Sequence, residues 1–162
     1  MEIKIRKAEV RDFLDVQELH SMPQVYSGTL QLPLPNEEMW KKRISECPAN
    51  LHFYVAEVDG KVVAFSGLNL EQNNRRRHVA SIGIAVHDDW VNRRIGSALL
   101  ANIIDVADNW LAIIRIELTV FHDNLAAIKL YEKAGFEKEG IHKKYAFRNG
   151  EFQDVIAMAR IK

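Results

Sequence analysis

Apolar and polar residues alternate, cluster and break along this chain in a pattern that outlines most of its elements. "EIKIR" alternates, with Ile3 and Ile5 on one side, and predicts a short strand. "VRDFLDVQELH" sets Val10, Phe13, Leu14 and Val16 at mostly helical spacing. The stretch "SMPQVYSGTLQLPLP" is broken by Pro23, Gly28, Pro33 and Pro35 and predicts a loop. Asn36 is placed to cap a helix that begins "EEMWKKRIS", with two acids in its first turn. "LHFYVAEV" and "KVVAFSGLNL" flank Asp59-Gly60, a strong hairpin signal. A polar loop, "EQNNRRR", leads to the strand "HVASIGIAV". The next helix, "IGSALLANIIDVADNWL", gathers Leu99, Leu100, Ile103, Ile104 and Ala107 on its apolar side. "IRIELTVF" alternates again, with Arg115, Glu117, Thr119 and Phe121 on the face opposite Ile114, Ile116, Leu118 and Val120. "NLAAIKLYEKAGF" is a short helix stopped by Gly135, and "KKYAFRNGEFQDVIAMARI" a hairpin turning at Asn149-Gly150.

This order, without repeat, linker or low-complexity segment, predicts a single domain over residues 1–162 of mixed α/β (α+β) class. The expected architecture is a central twisted sheet of about seven mostly antiparallel strands, flanked by four helices. Parallel pairing is expected where the strand 78–86, the helix 95–110 and the strand 114–121 form a crossover unit.

Composition narrows the function. Lys plus Arg number 22 and Asp plus Glu 22, so the net charge is zero, which argues against a wholesale nucleic-acid or membrane-surface binder. The single cysteine, Cys47, cannot form an internal disulfide, and no Cys/His cluster has zinc-ligand spacing, so no metal is expected. The start has no apolar signal region and no run approaches transmembrane length, so the expected location is cytoplasmic.

Three segments have the makings of a site. In "WVNRRIGSALL", a strand ending near Val86 leads through a polar turn into a helix starting near Ile95. The first-turn amides of such a helix are unpaired and its dipole favours an anion. Gly96 and Ser97 keep the turn small, and Arg93 and Arg94 add charge at an end where it weakens an isolated helix. The plain alternative is a crossover helix with two solvated arginines. In "HDNLAAIKLYEKAGF", Tyr131 lies near the inward helix face and Asn124 stands where strand passes into helix; on their own they read as a core aromatic and an N-cap. In "ASIGIAVH", Gly83 marks either a bulge, a close backbone approach or a packing concession. If this strand splays from "RIELTVF", its free backbone groups are open to strand-like pairing with an amide-bearing ligand.

Taken together and in this order, the segments resemble the GNAT superfamily of acetyl-CoA-dependent N-acetyltransferases over nearly the whole chain. The most specific match is "DNLAAIKLYEKAGF"; "RRRHVASIGIAV", "DNWLAIIRIELTVF" and the "GIHKKYAFRNGEFQDVIAMARI" tail look more loosely like the branch that acetylates free amino acids in bacteria. The family's pyrophosphate turn reads Gln/Arg-x-x-Gly-x-Gly/Ala, and here Val91, Asn92, Arg93, Arg94, Ile95 and Gly96 stand in its place. The final glycine is kept, and Arg94 replaces the first. Because backbone N–H groups make the anion contacts, the departure is tolerable, at about 1–2 kcal/mol if residue 94 must be left-handed.

The resemblance implies acetyl-CoA as co-substrate. It implies main-chain pairing of the pantetheine arm along Ile84, Ala85 and Val86, anion contacts from residues 91–96 and Ser97, and further contacts from Asn124 and Ala127. Tyr131 would protonate the departing thiolate. Glu117, with Thr119 ordering water, is the inward candidate for the base; the competing reading is a salt-bridged strand residue. The acceptor would sit under the 21–35 segment against Met22, Tyr26, Leu30 and Leu32, with Gln31 reading a polar group. Lys144 or Arg148 is a candidate for an acceptor carboxylate, against the reading as solvated hairpin charge. The implied function is transfer of acetyl from acetyl-CoA to a primary amine, first of all a free L-amino acid or similar small molecule. The alternatives are a protein N-terminal or lysine acetyltransferase, and a non-catalytic acyl-CoA-binding regulator. A homodimer through the final strands is compatible with the pattern.

Overall fold

The computed structural model describes residues 1–162. Its strands are β1 (Lys4–Lys7), β2 (Leu51–Val58), β3 (Lys61–Leu70), β4 (Val79–Val86), β5 (Arg115–Phe121), β6 (Glu137–Arg148) and β7 (Glu151–Ile161). Its helices are α1 (Phe13–His20), α2 (Pro23–Gly28), α3 (Glu37–Ser45), α4 (Ile95–Asn109) and α5 (Leu125–Lys133). All seven strands join one sheet in the order β1-β2-β3-β4-β5-β7-β6, antiparallel throughout except for β4 and β5. That single parallel pair follows from the crossover through α4.

The turns are where their residues demand them. Asp59 and Gly60 have φ of 50° and 81°, and Asn149 and Gly150 have 51° and 81°, the consecutive left-handed pair that a two-residue hairpin needs. Asn36 Oδ1 accepts the Met39 N–H at 3.0 Å and starts α3. Gly135, at φ 92°, ends α5.

Two cores form, one on each face of the sheet. On one face, α4 and α5 bury Ile95, Leu99, Leu100, Ile103, Ile128 and Tyr131 against Ala80, Ile116, Leu118 and Met158. On the other, α1, α2 and α3 bury Val16, Leu19, Val25, Trp40 and Ile44 against Val55, Val62, Phe65 and Ala85. Strand alternation feeds both: β2 and β3 each send side chains to the two cores.

The structure differs from the sequence reading in two elements. There are five α-helices, because the Pro- and Gly-broken segment after Ser21 folds into α2. The first helix begins as a 3-10 turn at Val10–Asp12, held by a Glu9/Asp12 capping box. That tighter turn rotates the register, leaving Val10 and Leu14 exposed while Val16, Leu19 and His20 face inward.

Candidate active site

The cleft begins at one rung of the sheet. β4 and β5 pair only from Val79↔Arg115 to Ser81↔Glu117, whereas β4 stays bonded to β3 as far as Val86 and β5 to β7 as far as Phe121. Beyond Ser81 the two strands part, and the inner edge of β4 is unpaired. His78 O accepts from Ile114 and Arg115 on the β5 side, and the His87 N–H donates to Val63 O on the β3 side. By alternation, the main-chain groups of Ile82, Ile84 and Val86 face the gap. Ala85, expected to contact the cofactor, turns its main chain to β3 and its methyl into the smaller core. Gly83 pairs in register with Gly67; there is no bulge, and a Cβ there would meet nothing within 4 Å.

At the open end of β4 the chain makes a 3-10 turn at Asp88–Trp90 and enters α4. From Val91 through Ser97 no backbone N–H finds a protein acceptor; the first that does is Ala98, to Arg94 O at 3.0 Å. Asn92 and Arg94 are both left-handed, with φ of 60° and 64°. A left-handed residue beside a right-handed one, as Arg94 stands beside the first helical residue Ile95, turns successive amides to a common side, which makes an anion-binding concavity. Arg94 carries the cost anticipated for a non-glycine there, and its side chain makes no cap. The Arg93 guanidinium lies 4.8 Å from the centre of the Trp90 ring. A Cβ at Gly96 would make ordinary van der Waals contact, 3.5 Å from Leu130 and Val86, so packing alone does not demand glycine there.

Across the gap, Asn124 caps α5. Its Oδ1 accepts the Ala127 N–H at 3.2 Å, and its amide nitrogen donates to no protein group and lies near Gly28, at the end of α2. The N-cap reading of Asn124 therefore holds, with one end of the amide still free. Tyr131 is 6% exposed, packs its ring 5.6 Å from Phe136, and donates its hydroxyl to no protein acceptor. Burial pushes its pKa up to about 12, so the phenol stays protonated at neutral pH.

Glu117 lies on the other face, lining with Ser81, Asn69 and Gln72 a small polar pocket of about 130 Å³ where the strands part. It is salt-bridged, to Arg76 at 2.8 Å and to Arg115 at 2.9 Å. Partial burial would raise its pKa, but hydrogen bonds from Arg76 and then Arg115 outweigh this and hold the carboxyl below its ordinary value. A carboxylate held in this way is a weak base, and of the two readings of Glu117 these contacts favour the salt-bridged strand residue. Glu71 and Glu139 complete the cluster, giving three carboxylates to two guanidiniums. Thr119 is exposed in the open half of β5.

The acceptor segment is only partly as expected. Met22 and Tyr26 are half-buried, Met22 against the smaller core. Leu30 and Leu32 are 63% and 81% exposed. The Gln31 side chain is engaged by Arg43 at 3.3 Å. Arg148 is neither solvated nor free: it is bound to both oxygens of Asp123, donates to Ser27 O at 3.3 Å, and lies 4.6 Å from the centre of the Phe121 ring. Lys144 is exposed. The sequence reading missed Asp88, whose Oδ2 accepts the Gln24 N–H of α2 at 3.1 Å. Nothing in the local pattern signals a bond between residues so far apart.

A splayed parallel pair, a cradle of free amides at a helix N-terminus and a buried phenol on the next helix make a cleft suited to an anionic, amide-bearing ligand. The chain belongs to the acetyltransferase (GNAT) family, which it matches over residues 16–136. It is 49% identical over 161 residues to the L-amino acid N-acetyltransferase AaaT of Escherichia coli, covering 99% of each chain. It also superposes on an acetyltransferase of the GNAT family from Streptococcus pneumoniae with a TM-score of 0.85 at 26% identity, covering 99% of this chain and 100% of that one. A GNAT superfamily phosphinothricin acetyltransferase from Sinorhizobium meliloti, solved with acetyl-CoA, shares the fold with a TM-score of 0.87 at 22% identity over 99% and 89% of the two chains. The protein is an N-acetyltransferase, moving an acetyl group from acetyl-CoA to an amine.

Proposed function

We propose that the amine is that of a free L-amino acid, and that the transfer is a single direct attack within the cleft between β4 and β5. The observation that carries the reading of the donor side is the run of partnerless amides from Val91 to Ser97 beside the unpaired edge of β4. Those amides hold the phosphates, and the main chains of Ile84 and Val86 hold the pantetheine amides in place of the missing strand. The free Asn124 nitrogen donates to the same arm near its reactive end, and Ala127 packs beside it. Acetyl-CoA supplies the activated acyl carbon and a thiolate leaving group. Tyr131 holds its proton at Oη for the departing sulfur; the reference pKa of a thiol lies below that of a phenol, so the hydrogen bond counts for more than complete transfer.

The acceptor enters from the α2 side, where Met22 and Tyr26 form the wall. Glu117 and its neighbouring acids favour the incoming ammonium electrostatically; the amine loses one proton to water before the attack, and the second N–H proton leaves the tetrahedral adduct as the C–S bond breaks, balancing the proton taken up by the CoA sulfur. The amino-acid reading of the acceptor is supported by the near full-length identity to the E. coli enzyme named for that substrate class. Pairing of two copies belongs to the same reading: β6 is the outermost strand of the sheet and exposes Ile141, Tyr145 and Phe147, with Phe152 beside them on β7. Sedimentation equilibrium reads that state directly.

Release of CoA thiol from acetyl-CoA, measured against L-amino acids, polyamines, aminoglycosides and short peptides, tests the acceptor class. Turnover with free L-amino acids and not with peptides is expected. Turnover confined to peptides would replace the small-molecule reading, and binding without release of thiol from any amine would make the protein a regulator.

A further inference from the structure

The acceptor wall α2 is fastened at both ends to parts of the cofactor site. Pro23 at its first position has no N–H, and the Val25 and Tyr26 amides both go to Met22 O, so the Gln24 N–H is left over. Asp88 takes it, from a position 64 residues away in the chain. Asp88 opens the 3-10 turn that runs straight into the amide cradle, and His87 Nδ1 caps that turn by accepting the Asp89 N–H at 3.2 Å. The other Asp88 oxygen is buried without a partner, so this carboxylate is given over to α2.

At the far end, Ser27 O accepts from Arg148, whose guanidinium is itself fixed by Asp123 and by the Phe121 ring. Asp123 immediately precedes Asn124, the cap of the helix that carries Tyr131. The Arg148 side chain is 18% exposed and that of Asp123 50%, so the guanidinium is held on its inner side by Ser27 O and the Phe121 ring and on its outer side by Asp123.

We propose that Asp88 and Arg148 are positioning residues that clamp α2 to the cofactor site, so that filling the cradle orders the acceptor wall and acceptor affinity depends on bound acetyl-CoA. The inference rests on the reading of residues 91–97 as the anion cradle and of α2 as the acceptor wall. Ordering of the cradle is carried through a three-residue turn to the Asp88 carboxylate, and from there to the only unpaired amide at the start of α2. Linkage makes the effect reciprocal: an acceptor bound against α2 tightens the cradle by the same factor.

Hydrogen–deuterium exchange of the whole protein, with and without acetyl-CoA, tests this. In the wild type, acetyl-CoA is expected to slow exchange at both the cradle and the α2 amides Gln24–Gly28. In Asp88→Ala the cradle is still protected, but protection of α2 is lost. Asp88→Asn, which keeps an oxygen acceptor for the Gln24 N–H, restores it. Kinetically, Asp88→Ala is expected to raise the KM of the L-amino acid that turns over fastest by about tenfold, while the acetyl-CoA Kd measured without acceptor stays within about twofold. Arg148→Met gives the same split with Asp88 intact. Cradle protection with α2 unchanged in the wild type, or α2 protection equal in wild type and Asp88→Ala, overturns the clamp alone. If acetyl-CoA protects neither segment, the cradle reading falls together with the clamp.

Discussion

Ser81 and Glu117 face one another in the last rung at which β4 and β5 are still paired. Everything proposed for the donor lies beyond this rung, and Glu117 closes the cleft rather than lining its open half. The position also explains its partners. Arg76 from the preceding loop and Arg115 from its own strand converge on the only carboxylate that the rung presents to that face.

Glu117 is thus expected to matter for binding more than for chemistry. Glu117→Gln should raise the acceptor KM a few-fold and leave kcat within about threefold, well short of the loss for a general base. In the wild type and in the variant, kcat/KM should rise with pH through the pKa of the acceptor amine itself. A kcat loss of about a hundredfold or more, with the alkaline limb altered, would show that Glu117 takes the proton after all.

Tyr131→Phe separates packing from proton donation. The ring stays in the core beside Phe136, so the melting temperature and acetyl-CoA binding should hold. If the hydroxyl protonates the thiolate, kcat should fall by about 10²–10⁴-fold, and less with a donor whose thiol is more acidic. Wild-type turnover, measured where chemistry limits the rate, would sink the assignment.

Arg94 stands at φ 64°, where glycine is at ease and arginine is not. Arg94→Gly is expected to stabilise the fold by about 1 kcal/mol, a rise of about 2–4 °C in Tm for a chain of this size. If amides alone hold the phosphates, acetyl-CoA affinity stays within a few-fold. If the guanidinium charge contributes, affinity drops and its salt dependence weakens with it. A large affinity loss at unchanged salt dependence would contradict both accounts.

His20 is buried at the end of α1, stacked 4.0 Å from Trp40, with its Nδ1 2.7 Å from Val16 O. Burial pushes its pKa down to about 4. The unfolded chain therefore binds a proton at a pH where the folded chain does not, so stability is full above the ordinary histidine value and is lost as the pH falls through that window. The effect is on the order of 3 kcal/mol. Thermal melts of His20→Gln between about pH 7 and about pH 4 should show a shallower acid decline than the wild type. Parallel declines would mean that His20 is not the group responsible.

The elements that announced themselves in the sequence are those set by local chemistry. Asp59-Gly60 and Asn149-Gly150 give left-handed turns on their own, and the stripe from Leu99 to Ala107 gives α4. What stayed hidden depends on partners distant in the chain. Six residues containing Pro23 and Gly28 are too few to show a helical period, and α2 is held by Asp88 and Arg148, which no local pattern connects to it. Glu117 belongs to an alternating strand, but its ion pair with Arg76 spans 41 residues. Leu32 looks like a pocket residue by its type alone, yet it is 81% exposed.

The parting of β4 and β5 makes a slot through the sheet. The phenol and the phosphate cradle stand on one side of it and the acceptor wall on the other, so under the proposed mechanism the acyl group is handed through a window between two rooms. Under the proposed mechanism the carrier is held on the α4 side and the amine on the α2 side. Mutation can then refit the acceptor room for a different amine while the donor room stays as it is, provided the joints that tie α2 to Asp88 and Arg148 are kept.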